Sequence, residues 1–182
     1  MDHDQTETFK TRFVLSAADR RWVRDVDLPF APFPGLGVRI DTYEVLNIVT
    51  VIVDDPDGSV TCVVEFDDQE NTVTTASRIE SFGFAEGDPA TPRAKNAASP
   101  VRVSLITFAK DAQWSKECDL PFPPFAGLCI RVGRDRLLKI FTIAAGKDRG
   151  DEVECYAGFE GVDSDSITED ECGALGLARD HR

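Results

Sequence analysis

The sequence predicts an all-β protein, a tandem duplication of two small antiparallel β modules, each barrel- or sandwich-like with four to six strands. Three observations predict this class. One decapeptide occurs twice at a fixed offset, stretches of alternating or β-branched residues surround both copies, and no segment combines helical periodicity with convincing caps. We expect the two modules to pack with pseudo-twofold symmetry.

The repeat is read from "DLPFAPFPGL" at residues 27–36 and "DLPFPPFAGL" at residues 119–128. At an offset of 92, the 29 positions from Trp22 to Thr50 contain 13 identities without a gap. Such a match predicts module 1 at residues 8–85, a linker at 86–100 and module 2 at 101–182, ending in an acidic tail. The linker, "EGDPATPRAKNAASP", combines prolines with charges and has no apolar periodicity.

Each module contains patterns typical of strands. "FKTRFVL" and "VRVSLITF" alternate apolar and polar residues, which indicates half-buried strands. "YEVLNIVTVIV" is rich in β-branched residues and predicts a central strand. "DDPDGSV" then predicts a tight turn, and "SVTCVVEF" the return strand; "VECYAGF" is the return strand of module 2.

Two segments close the modules. "VTTASRIESFGF", residues 73–84, is interpreted as a final strand of module 1. The tail from Glu169 to Arg179 is compatible with a helix.

The decapeptide is extended, because proline fixes φ, lacks an N–H and pushes the preceding leucine toward extended geometry. Gly35 and Gly127 then permit a turn into the next strand. We expect the aromatic rings to plug one end of each module, since buried aromatics dominate small cores. The alternative is an exposed aromatic groove or a PxxP ligand. The residues expected inside are Phe30, Phe33, Leu36, Phe122, Phe125 and Leu128.

The net charge of −13 argues against nonspecific binding to nucleic acid or anionic membranes. Residues 1–92 contain 18 acids and 7 bases, a charge of −11. The five cysteines are odd in number and lack C-x-x-C spacing, so we expect buried, reduced thiols. The first ten residues, "MDHDQTETFK", do not resemble a secretory signal, and we expect a cytoplasmic protein.

The sequence lacks the residues that several kinds of catalytic, metal and phosphate-binding site require. The two histidines, His3 and His181, lie in the terminal segments, which argues against serine or cysteine nucleophiles activated by histidine and against histidine-based metal sites. No phosphate-binding glycine motif is present. "DDPDG" and "DSDSITEDE" lack the ligand pattern of a calcium loop. We predict no catalytic residue, cofactor or metal.

The copies differ most just after the decapeptide. Module 2 reads "RVGRDRLLK" where module 1 reads "RIDTYEVLN". We call the four bases of this segment the basic hairpin and predict that it binds an anionic partner. The alternative is a solvated hairpin balanced by Asp135, and the lack of interleaved aromatics argues against nucleic acid. The candidate ligand-binding residues are Arg131, Arg134, Arg136 and Lys139.

Three functions remain open at this stage. The first is a cytoplasmic, non-enzymatic binding or interaction protein whose partner is another protein. The second is a small enzyme that uses Asp, Glu and Arg in a site between the modules. The third is an acidic inhibitor or immunity-type protein that covers a basic surface of its target, as the charge of the first 92 residues suggests.

Overall fold

The computed structural model describes residues 8–17, 19–42, 44–67, 75–88, 100–145 and 153–180. The described part of the chain is mostly β, as the sequence predicts. Most of the predicted linker, residues 89–99, lies outside the described residues, as do His3 and His181. None of the helices in the described ranges is long and apolar enough to cross a membrane.

The chain folds as two compact units. Unit 1 consists of Met1–Val51 and Ser59–Asn96, and unit 2 of Ile52–Gly58 and Ala97–Arg182. The short segment Ile52–Gly58 therefore packs with the second half of the chain although it precedes the last part of unit 1. The predicted boundaries of the modules and their pseudo-twofold packing stay predictions.

Residues 8–88 contain six strands and one helix in the described ranges. These elements are β1 (Phe9–Ala17), β2 (Arg20–Leu28), β3 (Gly37–Arg39), β4 (Val45–Asp54), β5 (Ser59–Phe66), α1 (Ala76–Ser81) and β6 (Ala85–Glu86). The strand order in unit 1 is β6-β2-β1-β5-β4, and β3 also pairs with β4. The predicted turn after β4 is present, and Gly58 N donates to Asp54 O at 2.8 Å.

The described residues from 100 onward repeat this plan. Their elements are β7 (Val101–Ala109), β8 (Ala112–Leu120), β9 (Cys129–Val132), β10 (Arg136–Ala145), β11 (Val153–Phe159), a 3-10 helix (Ser164–Ser166), α2 (Glu169–Ala174) and β12 (Ala178–Arg179). The order in unit 2 is β12-β8-β7-β11-β10-β9. The C-terminal residues of β4, Ile52–Asp54, pair with the edge of β9 that faces away from β10.

The hydrogen bonds recur at the offset of the sequence repeat. Gly35 N donates to Ile48 O at 2.7 Å, and Gly127 N donates to Ile140 O at 2.7 Å. Both glycines have a positive φ, +86° and +93°, which a residue with a side chain rarely adopts. The predicted turn at the end of each decapeptide is therefore confirmed.

The expectation of purely antiparallel modules is wrong. β1 pairs with β5 in parallel, and β7 pairs with β11 in parallel. In each unit two antiparallel hairpins meet through one strand of each, and these two strands run in the same direction. Alternation in the sequence does not encode the direction of pairing. In the described residues no strand pair closes either unit into a barrel, so the predicted barrel or sandwich is replaced by an open, mixed sheet order.

The strand predicted at residues 73–84 is wrong for its described part. Residues 76–81 form α1, and Thr75 caps it because its hydroxyl accepts from Arg78 N at 3.4 Å. Ile79, within this helix, is fully buried. The short strand β6 follows and pairs with β2. Of the segment Glu169–Arg179, which is compatible with a helix by sequence, only Glu169–Ala174 forms α2, with Thr168 as its cap, and Ala178–Arg179 forms β12.

The aromatic residues of the two decapeptides differ in burial. Phe122 is 2% exposed and Leu128 is fully buried, as predicted. Phe30 and Phe33 are 46% and 47% exposed, so their predicted burial is wrong. Phe125 and Leu36 are half-buried. The same peptide thus meets packing partners in unit 2 that it lacks in unit 1; in unit 2 the rings of Phe122 and Phe125 stack with centroids 6.1 Å apart.

All five cysteines are buried free thiols: Cys62, Cys118, Cys129, Cys155 and Cys172. Burial disfavours the thiolate and raises the pKa of Cys118 to about 12 and that of Cys155 to about 11. These thiols pack as small hydrophobic groups.

Candidate functional site

The basic hairpin lies at one end of unit 2. Arg131 is in β9, Arg134 is in the turn that follows, and Arg136 and Lys139 are in β10. β9 and β10 are antiparallel, and Arg136 pairs with Val132 across the turn. The hairpin therefore gathers the four predicted residues on two adjacent strands and the turn between them.

Three of the four bases form ion pairs with acids. Arg131 Nε lies 3.0 Å from Asp54 Oδ1, and Lys139 Nζ lies 3.5 Å from Glu160 Oε1. Arg136 Nε donates to Glu171 Oε1 at 2.9 Å, and a second guanidinium nitrogen contacts the same oxygen. These carboxylates compensate most of the positive charge that the sequence pattern offered to a partner.

Arg134 differs from the other three bases. It is exposed at the turn, and the described residues include no acid paired with it. The ion pair with Arg136 also lowers the pKa of Glu171, chiefly through their hydrogen bond. Arg136 therefore joins β10 to α2, while Arg134 is the one base of the four that has no acid partner in the described part of the chain.

One further acid, Asp55, completes the surroundings of β9. Lys116 Nζ lies 2.5 Å from Asp55 Oδ2 and donates to Leu175 O at 3.2 Å. With the Arg131–Asp54 pair, this contact joins the turn after β4 to β8 and β9 within unit 2. Each carboxylate faces a base, so these acids are arranged as structural ion pairs. In the described ranges no three His, Cys, Asp or Glu residues lie close enough to hold a metal ion.

An apolar groove lies beside the basic hairpin and was missed in the sequence. It has a volume of about 350 Å³, and the Lys139–Glu160 pair lies at its rim. Phe141, on its wall, is 58% exposed, and Ile143, further along β10, is 39% exposed. We call Phe141 and Ile143 the β10 patch. The groove is lined by Ala126, Gly127, Lys139, Ile140, Phe141, Gly158, Phe159 and Glu160.

A sequence signal for the β10 patch existed. Residues 136–145 read "RLLKIFTIAA", with apolar residues on both faces of the strand, like "VLNIVTVIVD" in β4. Both were interpretable as central strands. In β4 the residue at the repeat position of Ile143, Val51, is fully buried. Apolar residues on both faces of β10 thus predict packing against both faces. In the described part of the chain, Phe141 and Ile143 lack such packing.

Comparison of the chain with models of protein families found no match, and neither did comparison with curated proteins or with solved structures. The function is therefore inferred from the geometry alone.

Proposed function

We propose that this chain is a non-enzymatic interaction protein that binds protein partners through exposed strand surfaces. The observation that carries the proposal is the β10 patch, where Phe141 is 58% exposed next to an apolar groove. Large apolar side chains grouped at a groove are typical of protein-binding surfaces. The ion pair between Lys139 and Glu160 would form part of a polar rim.

We further propose that the two units are products of a tandem duplication. The hydrogen bonds Gly35 N to Ile48 O and Gly127 N to Ile140 O are related by the same offset of 92 residues. Equivalent hydrogen bonds at a constant offset support this origin, because two unrelated segments are not expected to form them. The indole N–H groups add to it: Trp22 donates to Ala17 O and Trp114 to Ala109 O, again 92 residues apart. Duplication supplies two similar surfaces, of which the second has acquired larger apolar residues at Phe141 and Ile143.

The proposed compartment is the cytoplasm. Its support is the five buried free thiols, because secreted proteins of this size commonly pair their cysteines. The enzyme and inhibitor hypotheses stay predictions.

The test compares partners captured by the parent chain and by the double variant Phe141→Ser and Ile143→Ser, in lysate of cells that produce the protein. Quantitative mass spectrometry should show a partner that is lost, by about tenfold or more, from the variant. Phe108→Ser is the matched control, because Phe108 is 50% exposed on β7 of the same unit. Equal capture by all three proteins would contradict a role of the β10 patch.

A further inference from the structure

Strand β9 has neighbours on both of its edges. β10 pairs with one edge, and Ile52–Asp54 pair in parallel with the other, from Ile52 opposite Cys129 to Asp54 opposite Arg131. Asp55 N continues this ladder and donates to Arg131 O at 3.1 Å. The end of a β-hairpin thus fills the outer edge of β9, and all of these residues belong to unit 2.

Strand β3 is the repeat counterpart of β9, but in the described residues it pairs only with β4. The registers agree: Gly37 lies opposite Asn47, as Cys129 lies opposite Lys139, 92 residues later. Ile130 is fully buried, whereas its counterpart Val38 is only half-buried. The difference in burial is what a missing strand on one edge produces.

The free edge of β3 can be located at single residues. Leu36 O accepts from Ile48 N at 2.9 Å, and Ile40 N donates to Glu44 O at 3.1 Å. Groups at these positions face β4, so the alternate residues Gly37 and Arg39 direct their N–H and C=O groups outward. An edge of this kind is a template for another strand.

The strand that would fit this edge is also present in the chain. The residues at the repeat positions of Ile52 and Val53 are Ala144 and Ala145, at the end of β10. β9 covers β10 only from Arg136 to Lys139, and residues 142–145 pair with β11 alone in the described part of the chain. Within the described ranges, each chain therefore contains one strand end, residues 142–145 of β10, and one complementary edge, that of β3, both without the neighbour that their counterparts have.

We propose that β10 of one chain adds to β3 of a second copy, in parallel, with Ala144 opposite Gly37 and Ala145 opposite Val38. This inference rests on the proposed function and names the partner as a second copy of this chain. Ile143 of the β10 patch would become buried in the contact, as its counterpart Val51 is in β4, whereas Phe141 would stay at the rim, as its counterpart Val49 is 44% exposed. The contact is heterologous, head to tail, so it builds rings or filaments rather than a closed isologous dimer.

The acceptor edge retains the two bases of the repeat, but the donor strand lacks the matching acids, because Gly146 and Lys147 stand at the repeat positions of Asp54 and Asp55. Backbone pairing in the register of the repeat, rather than charge, therefore supports this occupant. Arg39 and Arg24 occupy the repeat positions of Arg131 and Lys116, which bind the acids of the added hairpin in unit 2. The contacts of Arg24 match as well: its guanidinium donates to Phe82 O at 2.7 Å, as Lys116 donates to Leu175 O. The acceptor thus retains both bases, and neither pairs with an acid in the described residues.

The experiment uses two proline variants of the full chain, one on each side of the contact. Arg39→Pro removes an outward N–H of the acceptor, and Ala145→Pro removes the N–H at the position of Val53, two residues before the bonded Asp55. Sedimentation velocity from about 10 µM to about 1 mM should show the parent associating in whole multiples of the chain mass. Each variant alone should stay monomeric at the same concentrations.

Mixing the two variants gives the sharpest result. Arg39→Pro retains the donor strand and Ala145→Pro retains the acceptor edge, so an equimolar mixture should form a complex of two chains and no larger species. Arg39→Ser is the control that removes the charge but retains the N–H, and it should still associate, within about tenfold of the parent affinity. Circular dichroism and melting midpoints must show that each variant is folded.

Three outcomes would overturn the proposal: a parent chain that is monomeric throughout, association that survives both prolines, or a mixture that fails to form the two-chain complex. Hydrogen exchange adds a second readout, because amides at 37–39 and 142–145 should gain protection with concentration. Protection that is complete at the lowest concentration would indicate an intramolecular occupant and would also overturn it. If the chain is monomeric but the β10 variants still lose a captured partner, only this inference fails and the proposed function stands.

Discussion

Phe30 and Phe122 allow a stringent test of the packing, because they occupy the same position of the two decapeptides. Phe122 is 2% exposed and stacks on Phe125, whereas Phe30 is 46% exposed. Phe122→Ala should lower the free energy of unfolding of unit 2 by about 3–5 kcal/mol, since a buried ring is lost and a cavity remains. Phe30→Ala should cost unit 1 less than about 1 kcal/mol. The same substitution at the same position of two nearly identical decapeptides thus separates the effect of burial on stability from the effect of local sequence.

The assay follows each unit separately. Trp22 lies in unit 1 and Trp114 in unit 2, and both are buried, so each reports unfolding of its own unit by fluorescence. Denaturant melts of Phe30→Ala would be recorded with Trp114→Phe as the background, and those of Phe122→Ala with Trp22→Phe. Dilute protein avoids any contribution from association. Equal losses for the two variants, or a larger loss for Phe30→Ala, would refute the asymmetry in burial.

The remaining predictions concern ion pairs, thiols and caps. Arg136→Ser should lower the melting midpoint at pH 7 while Arg134→Ser leaves it unchanged, because only Arg136 holds a carboxylate. Since the folded pKa of Glu171 is lowered, the difference between parent and Arg136→Ser should shrink as pH falls below about 4, and a difference that persists at pH 2 would contradict this origin. The five cysteines should resist a thiol reagent at pH 8 in the native protein and all react in denaturant; fast labelling of any one would show that its burial is wrong. Thr75→Ala should cost about 1 kcal/mol through loss of the cap of α1, measured by denaturant melts, and no loss would exclude that cap.

The ion pairs of the basic hairpin show where reasoning from sequence stopped, and its binding of an anionic partner stays a prediction. The excess of bases in "GRDRL" over "DTYEV" was visible, and it pointed to an anionic partner. Glu171, the acid that binds Arg136, lies 35 positions away on α2. No local pattern reports a contact between distant residues, so the compensation of this charge was not predictable.

The sequence by itself determined the repeat, most strands and the turns. The offset of 92 reappears in hydrogen bonds, and Gly35 and Gly127 have the positive φ that only glycine adopts readily. These features depend on backbone preferences and on alternation within a few residues, which are local properties of the chain.

Only the tertiary structure decided the burial of each decapeptide, the parallel pairing of β1 with β5, and the assignment of Ile52–Gly58 to unit 2. Phe30 and Phe122 have nearly identical local sequences, yet one is exposed and the other buried. Burial and strand pairing depend on which distant segments arrive beside a residue, and a local pattern states only what surface that residue offers. The edge of β3 that has no partner among the described residues became visible for the same reason, once its filled counterpart in β9 was known.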